Sequence, residues 1–291
     1  MAPHRLVGME TPRHDDLGLG TWRRDPGTVV LQGAATPLRD PGSLAIVAES
    51  WAHVVPTEWS PHVHLMHELV WVRGGTLTSR IGNRIFTVPP GFGMWMPAGM
   101  VHGGRVTYAA EFHDAFFVPE RTPVVFDGPT TIIITPLLES LLLRLGRSDL
   151  GDDERARTEA VVFDVLEAAD RQFALDLPGD RRIDAIAEAL LRDPSDDRSL
   201  AEWAAHLKVS DRTITRAFRE ATGLSFAQWR QALRIHEALA LLSAGAEVQE
   251  VSELLGYSQP STFIAAFRRV MKVTPGLLTK ASLSGIPYQV S

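Results

Sequence analysis

The stretch Ser199-Leu-Ala-Glu-Trp-Ala-Ala-His-Leu-Lys-Val-Ser-Asp-Arg-Thr-Ile-Thr-Arg-Ala-Phe-Arg-Glu-Ala-Thr-Gly223 decides the fold of the C-terminal part of the chain. Ser199 with Glu202 forms a capping box at the start of one helix, and Ser210 is a typical N-cap of a second. Apolar residues recur at helical spacing in both segments, and Gly223 is a typical helix end. The pattern predicts two short helices joined by a tight turn at Lys208-Val209, which is a helix-turn-helix unit.

The same plan recurs from Val248 to Met271, with Gly256 at the turn. Between the two units, a capping box at Ser225 and Gln228 begins an amphipathic helix that we expect to reach Ser243. Its nineteen residues, at ~1.5 Å each, span roughly 28 Å. Major-groove half-sites on one face of DNA recur at about 34 Å. The long helix is therefore predicted to space two DNA-reading units.

The second helix of each unit keeps a polar, mainly basic outer face once its apolar stripe is set aside. Arginine suits guanine edges and phosphates, and hydroxyl side chains can bond either. A helical bundle whose stripes serve only as core is the alternative, but two copies of the pattern favour DNA binding. The predicted DNA-contacting residues are Arg212, Thr213, Thr215, Arg216 and Arg219 in the first unit, and Ser261, Thr262, Arg268, Arg269 and Lys272 in the second.

The segment from Arg182 to Leu278 resembles the DNA-binding domain of AraC/XylS-type bacterial transcription regulators. This resemblance implies a seven-helix domain with two recognition helices in successive major-groove segments. Double-stranded promoter DNA is then the partner, and RNA polymerase is a further candidate. Family members often carry a basic or polar residue where this chain has Ala265, so we expect the first unit to supply most of the sequence specificity. The matching residues are Ser210, Arg216-Ala-Phe218, Thr222-Gly223, Arg234, Ala238, Leu241-Leu242, Gly256-Tyr257, Phe263, Ala266-Phe-Arg268 and Thr274-Pro275.

Composition limits the remaining possibilities. A chain of 291 residues predicts two domains, and the absence of cysteine excludes disulfides, thiolate metal sites and cysteine nucleophiles. We find neither a secretory signal pattern nor an apolar run of about 18 residues, so a cytoplasmic protein without membrane contact is expected. The net charge of −6 divides into −8 over residues 1–180 and +2 over residues 181–291. The mildly basic part is thus the one with the helix-turn-helix units.

The N-terminal part shows β-type patterning. Residues 1–40 predict a loosely ordered arm with at most one edge strand near Val29 to Gln32. Residues 41–136 carry short β-type runs and turn signals at Gly74-Gly75 and Gly82-Asn83, which are typical of an antiparallel barrel or sandwich. We expect a cupin-like, effector-binding barrel. The predicted strands are Leu44–Val47, Leu69–Arg73, Thr76–Ile81, Arg84–Val88, Gly93–Met96, Tyr108–Val118 and Thr131–Ile134.

Residues 137–175 are predicted to be helical. An apolar stripe runs from Leu137 to Leu145, and a second helix is expected from about Glu154 to Phe173. Their stripes fit either packing against the barrel or a dimer interface, and we favour the interface and a homodimer. Residues 176–181 are the predicted linker, and residues 182–285 the DNA-binding domain.

Two histidine motifs lie in the predicted barrel. His62-Val-His64-Leu-Met-His-Glu68 and Pro97-Ala-Gly99-Met-Val-His102 resemble the two motifs of cupin barrels. Strand alternation places His62 and His64 on one face, where Glu68 and His102 can join them. Three imidazoles and a carboxylate suit a divalent Zn, Mn, Fe, Co or Ni ion. The alternatives are histidines inherited with the fold and a pocket for an organic effector, lined by His62, His64 and His102 with Trp51, Trp71, Met94, Trp95 and Met96.

These observations predict a mixed two-domain protein, with an N-terminal antiparallel β-barrel plus helices and an all-α tandem helix-turn-helix domain. Its expected function is sequence-specific transcription regulation under control of a small effector bound in the barrel. No phosphate-binding glycine loop or Gly-x-Ser-x-Gly elbow is found, and we expect no enzyme. The alternatives are a metal-ion-responsive regulator, a cupin metalloenzyme such as a dioxygenase with a DNA-binding tail, and a ligand-independent DNA-binding protein whose barrel only dimerises it.

Overall fold

The computed structural model describes residues 27–32, 44–53, 55–108, 110–124, 126–170 and 172–276. Most of the predicted N-terminal arm and the last residues of the predicted DNA-binding domain lie outside these ranges. The described part consists of a β-rich N-terminal domain and a helical C-terminal domain. None of its helices is both long enough and apolar enough to cross a bilayer.

The N-terminal domain is built from two facing β-sheets rather than one closed barrel. The six-stranded sheet has the order β1-β3-β8-β5-β6-β11, and the five-stranded sheet has the order β10-β7-β4-β9-β2. All pairings between these strands are antiparallel except that of β1 with β3. The strands are β1 (Val29–Leu31), β2 (Ile46–His53), β3 (Thr57–His62), β4 (His67–Arg73), β5 (Leu77–Ile81), β6 (Arg84–Val88), β7 (Phe92–Met96), β8 (His102–Val106), β9 (Ala110–Phe117), β10 (Thr130–Ile133) and β11 (Ala174–Asp176).

All the predicted strands are found, Arg84–Val88 with its predicted ends and the others with shifted ends, but β3, β8 and β11 were not predicted. β3 and β8 read TEWSPH and HGGRV, which lack the β-branched alternation that identifies a strand. Gly82-Asn83 does form a two-residue hairpin between β5 and β6. Gly74-Gly75 does not form a hairpin, because it connects β4 and β5, which belong to different sheets.

The outer face of the five-stranded sheet is covered by α1 (Pro136–Leu145) and α2 (Asp152–Val165). Leu138, Leu142 and Leu145 of α1 are buried there with Val162 of α2. Glu159 adds hydrogen bonds to two backbone amides at the start of β2. The apolar stripe of α1 is therefore core within one chain. The stripe thus serves mainly for packing against the sheet, which was the alternative to a dimer interface, and homodimerisation stays a prediction.

The predicted second helix is shorter than expected. α2 ends at Val165, and the chain then runs beside β10, where Ile133 donates to the carbonyl of Glu167 and Ala169 to that of Thr131. The chain then continues as β11, which pairs with β6. The backbone after Val165 therefore makes hydrogen bonds to strands instead of continuing the helix. The predicted linker is only partly a free connection, since Asp176 belongs to β11 and Leu177 is buried, whereas Gly179 and Arg181 are exposed.

Six helices of the C-terminal domain lie within the described residues. The capping boxes of Ser199 with Glu202 and of Ser225 with Gln228 are both present, and Ser210 caps the next helix as predicted. The seventh helix implied by the family resemblance would follow Met271, where residues 277–291 lie outside the described part. The helices are α3 (Asp184–Arg192), α4 (Leu200–Leu207), α5 (Asp211–Thr222), α6 (Phe226–Ser243), α7 (Val248–Leu254) and α8 (Pro260–Met271).

The two helix-turn-helix units are in contact at Gly256, which permits a close approach, and at Arg234, which makes hydrogen bonds. Gly256 has φ 74°, and a Cβ there would lie 2.9 Å from the carbonyl oxygen of Ser195. Arg234 of α6 donates to the carbonyls of Pro194, Ser195 and Asp196. The loop before the first unit is therefore fixed against the turn of the second unit and against α6.

The two domains share a hydrophobic core. Side chains of the six-stranded sheet pack in one cluster with the buried face of α6 and with α7 and α8. A second cluster joins β6 and β11 to α3, α4 and α5. Trp229 of α6 also donates a 2.7 Å hydrogen bond to the carbonyl of Asp176. The helical domain is thus packed directly on the N-terminal domain, chiefly through α6.

Candidate functional site

A cavity of about 230 Å³ lies between the two sheets. Strand alternation builds its wall, because β2 contributes positions 49, 51 and 53 and β9 contributes positions 112, 114 and 116. The opposite wall comes from β3, β5 and β8. Leu31 of the edge strand β1 also lines the cavity. The polar lining residues are Glu49, His53, His62, His64, Glu68, Ser79, His102 and Asp114.

The structure brings together the four residues of the predicted metal set. His62, His64 and His102 are buried, and one ring nitrogen of each lies within 4.8 Å of the others. Glu68 Oε2 lies 3.0 Å from His102 Nε2 and 3.5 Å from His64 Nε2. The three histidines therefore lie close enough to share one ion, and Glu68 lies beside His64 and His102.

The histidine rings are oriented by backbone carbonyls. His62 Nδ1 lies 2.7 Å from the Ser60 oxygen, and His102 Nδ1 lies 2.9 Å from the Met100 oxygen. A carbonyl oxygen only accepts, so each Nδ1 carries the proton and donates it. Such second hydrogen bonds are typical of metal-binding histidines, because they leave Nε2 as the free donor atom.

Several buried atoms of the cluster lack hydrogen bonds within the described part of the chain. They include both ring nitrogens of His64, whereas His102 Nε2 and Glu68 Oε2 face each other at 3.0 Å. A buried polar atom left unsatisfied costs about 1–3 kcal/mol, and a cation at this point would satisfy several at once. The donor set, three imidazoles and one carboxylate, fits a divalent transition-metal ion.

Burial and neighbouring charges shift the pKa values of the residues in the cluster. Burial alone would lower the pKa of His102, but the facing Glu68 carboxylate raises it. Burial opposes ionisation of Glu68, yet His102 and His64 hold its pKa below the usual value. Burial, together with the charge of His102, lowers the pKa of His62 to about 4. Burial and the neighbouring Glu68 raise the pKa of Asp114 well above its ordinary value.

Trp71, Trp95 and Met94 do not line the cavity, contrary to prediction. Trp71 and Trp95 are in the core under α1 and α2, on the opposite face of the five-stranded sheet. Met94 lies in the core shared with α6. Trp51 and Met96 line the cavity as predicted, with the three histidines. The lining residues that the sequence prediction missed include Glu49, His53, Trp59, Phe112 and Asp114.

The predicted DNA-contacting residues of α5 are mostly at the surface. Arg212, Arg216 and Arg219 are exposed, whereas Thr213 and Thr215 are half-buried. The Thr213 hydroxyl also bonds the Ser210 hydroxyl at the helix start. The inner face is formed by Ile214, Ala217 and Phe218. Ala221, near the end of the helix, is exposed.

The predicted residues of α8 and of the position after it, Ser261, Thr262, Arg268, Arg269 and Lys272, are all exposed. Two of the predicted arginines have partners within the chain. Arg216 of α5 pairs with Glu220 at 3.2 Å, and Arg269 donates to Gln231 of α6. Arg268 is therefore more available for a phosphate than Arg269.

Comparison with known proteins agrees with this combination of a cavity domain and tandem helix-turn-helix units. Residues 41–114 match the AraC-like ligand binding domain, and residues 203–281 match a helix-turn-helix domain. Over 222 residues the chain is 32% identical to the HTH-type transcriptional regulator NimR of Escherichia coli K12, which covers 74% of this chain and 80% of NimR. The HTH-type transcriptional regulator RipA of Corynebacterium glutamicum is 29% identical over 233 residues, covering 74% of this chain and 62% of RipA.

Among solved structures, ToxT from Vibrio cholerae O395 aligns with a TM-score of 0.36 at 10% identity, covering 83% of this chain and 99% of ToxT. The fold and the two sites define a DNA-binding regulator with an N-terminal ligand-binding domain. The chain belongs to the AraC-type family of bacterial transcription regulators.

Proposed function

We propose that this regulator changes its affinity for promoter DNA when a small effector enters the cavity between the sheets. The observation that carries this proposal is the double role of β8. His102 and Gly104 of β8 line the cavity, while Arg105 of the same strand pairs with Glu237 of α6 at 3.1 Å. A shift of β8 on ligand binding would therefore act on α6.

Two more strands of the same sheet support this proposal. β5 lines the cavity through Leu77 and Ser79, and the preceding Thr76 hydroxyl donates to the carbonyl of Leu239 in α6. Thr87 of β6 bonds His236 of α6 at 3.0 Å. Because α6 connects the two helix-turn-helix units, a displacement of this sheet would change their placement. Packed interfaces of this kind shift between discrete arrangements.

On DNA, we assign most of the sequence reading to α5 and mainly phosphate contacts to α8. α5 presents exposed Arg212 and Arg216, which can bond guanine in a bidentate manner. α8 presents Ser261, Thr262 and Ala265, whose short side chains offer few bonds to base edges. Arg268 lies near its C-terminal end, where a phosphate contact positions the protein without reading sequence.

A divalent metal ion is a second candidate ligand of the cavity, acting as cofactor or as effector. The observation that favours it is the convergence of His62, His64, His102 and Glu68. These residues would hold the ion, and they would join β3, β4 and β8 at one point. When bound, the ion would supply a Lewis-acid position to an effector.

Homodimerisation and contact with RNA polymerase belong to the same proposal, as does a cytoplasmic location beside the DNA. Because Leu138, Leu142 and Leu145 of the α1 stripe are buried, a dimer would have to use the apolar side chains that stay exposed on α1 and α2. Leu137 and Val161 are the exposed large apolar side chains of α1 and α2, with exposed fractions of 54% and 39%. They mark where a dimer contact would be tested first.

The experiment is a titration of the full chain with promoter fragments from upstream of its own and adjacent genes, at increasing salt. We expect specific binding that weakens linearly on a logarithmic salt scale, because arginines and lysines displace counterions. Equal affinity for a scrambled fragment of the same length would contradict sequence-specific regulation. Small compounds that raise the melting temperature are then added to the same titration, and a changed Kd identifies an effector.

A further inference from the structure

Aromatic rings line one part of the cavity. The rings of Trp59 and Phe112 are stacked with their centroids 4.9 Å apart. Trp51 lies 6.1 Å from Phe112, and it is 37% exposed, which places it at the mouth. His53 closes the group with an edge contact of 5.2 Å to Trp59. We call Trp51, His53, Trp59 and Phe112 the aromatic cage.

Two carboxylates lie one step deeper than the cage. Trp51 of β2 pairs in register with Phe112 of β9, and Glu49 pairs with Asp114 two residues further along the same strands. Side chains two residues apart share a face, so the carboxylates sit directly behind the rings. The next pair on this face brings in Glu68 through its pairing with Phe116. On the wall built by β2 and β9, Glu49 and Asp114 therefore lie between the aromatic pair Trp51–Phe112 and Phe116.

Asp114 carries an oxygen that needs a donor. The residue is 5% exposed and lines the cavity, and its Oδ1 has no hydrogen-bond partner among the described residues. A buried acceptor of this kind is stabilised when a ligand N–H reaches it. A cationic N–H is the strongest such donor.

The charge of the lining points the same way. The described residues around the cavity include three acidic side chains, Glu49, Glu68 and Asp114, and neither lysine nor arginine. Nothing in this lining offers an anionic ligand a fixed cationic side chain apart from protonated histidine. The faces of tryptophan and phenylalanine attract cations through their quadrupole. The lining therefore favours a positively charged ligand, because of its aromatic rings, its acidic side chains and the unpaired oxygen of Asp114.

We propose that the effector is an organic cation, a small amine whose charged nitrogen lies between the aromatic cage and Asp114. This inference rests on the proposed effector control and adds the chemical class of the ligand. The cavity of about 230 Å³ has room for about eight water molecules at ~30 Å³ each. An amine with a single ring has the matching size.

The test uses the full chain and three probes of nearly equal size: benzylamine, benzyl alcohol and benzoate. Their Kd values are measured by calorimetry on protein stripped of metal and again on zinc-loaded protein. We expect benzylamine to bind at least tenfold more tightly than either other probe in both samples. Equal or tighter binding of benzyl alcohol or benzoate overturns the proposal, as does no detectable binding of benzylamine.

Variants identify the site. Asp114→Asn and Trp59→Leu should each weaken benzylamine binding at least tenfold, whereas Asp164→Asn, at an exposed position of α2, should leave it unchanged. Glu49→Gln, at a partly exposed position, should also weaken benzylamine binding. This variant tests the proposal even if the Asp114→Asn protein does not fold. Unchanged benzylamine affinity in both carboxylate variants overturns the proposal.

Promoter binding is measured in the same samples to separate this inference from effector control. If benzylamine binds as expected but the promoter Kd stays the same, the cation site stands and the proposed control fails. If benzoate binds more tightly than the amine and changes the promoter Kd, effector control stands and the cation inference fails.

Discussion

Arg105 Nη2 lies 3.1 Å from Glu237 Oε1, and this ion pair joins β8 to α6. Both side chains are mostly buried, with exposed fractions of 18% and 21%. Arg105 directly follows Gly104 of the cavity wall, and Glu237 lies on the helix between the two DNA-reading units. The pair is therefore one of the polar contacts that connect the ligand-binding domain to the DNA-binding domain.

A double-mutant cycle should show that this contact couples the two domains. We expect Arg105→Ala and Glu237→Ala each to destabilise the protein, with a coupling free energy of about 1 kcal/mol, as for partly buried pairs. Denaturant unfolding of the wild type, both single variants and the double variant measures it. Glu253→Ala, at an exposed position of α7, is the control. Strictly additive effects would show that the pair contributes nothing to the junction.

The junction should also weaken in acid because of His236. This side chain is buried between α6 and β6, and burial lowers its pKa to about 4, against the opposing effect of a hydrogen bond with the Ala174 backbone. The unfolded chain binds a proton near pH 6.5 while the folded chain remains neutral. The contribution of His236 to stability is therefore complete above pH 6.5 and is lost progressively down to about pH 4.

The lost stability amounts to roughly 3 kcal/mol at most, from about 1.4 kcal/mol for each pH unit of the shift. Unfolding free energies measured at pH 7.5 and 5.0 check this. His236→Gln should flatten the pH dependence, whereas His206→Gln, at an exposed position of α4, should not. An identical pH slope in wild type and His236→Gln would show that His236 does not cause the acid sensitivity.

The two DNA-reading helices should differ in what they contribute. Arg216→Ala should relax the base preference at one position of the proximal half-site, worth ~1–3 kcal/mol of discrimination. Arg268→Ala should weaken binding to all sequences similarly and reduce the salt slope by about 1. Sequence selection with both variants decides the matter. A changed preferred sequence for Arg268→Ala alone would reverse the assignment.

Metal binding at the histidine cluster can be measured directly. Zinc added to metal-free protein should raise the melting temperature, because a ligand that binds only the folded state stabilises it. His64→Ala should remove most of this shift and most of the metal found by elemental analysis. His206→Ala serves as control at an exposed histidine. Equal metal contents in wild type and His64→Ala, or none in either, would exclude this site.

The sequence predicts the DNA-binding half better than the cavity. Helix signals are local, so the capping boxes at Ser199 and Ser225 and the inward Ile214 and Phe218 are visible in the chain itself. The histidine motifs likewise predict the convergence of His62 and His102 because their residue types and spacing are distinctive.

The residues that line the cavity depend on which face of each strand points inward and on which sheet each strand joins. Neither can be read from the local sequence. Once Glu68 is placed inside, alternation places Leu69 and Trp71 outside, and this parity would have excluded Trp71 from the pocket. Apolar composition alone cannot separate the two faces of a sheet that is covered on both sides. The end of α2 at Val165 is set by hydrogen bonds to β10, which is distant in sequence.

Filling the cavity by mutation tests effector control most directly. A Cβ added to Gly104 would meet only ordinary contacts of 3.6 Å and longer, so Gly104→Leu should place a side chain in the cavity without touching DNA. We predict a change in the promoter Kd of at least fivefold relative to wild type, the lower end of typical allosteric coupling. Gly128→Leu, at a site with nothing within 4 Å, should match wild type. An unchanged promoter Kd for a folded Gly104→Leu protein would contradict control of DNA binding by this cavity.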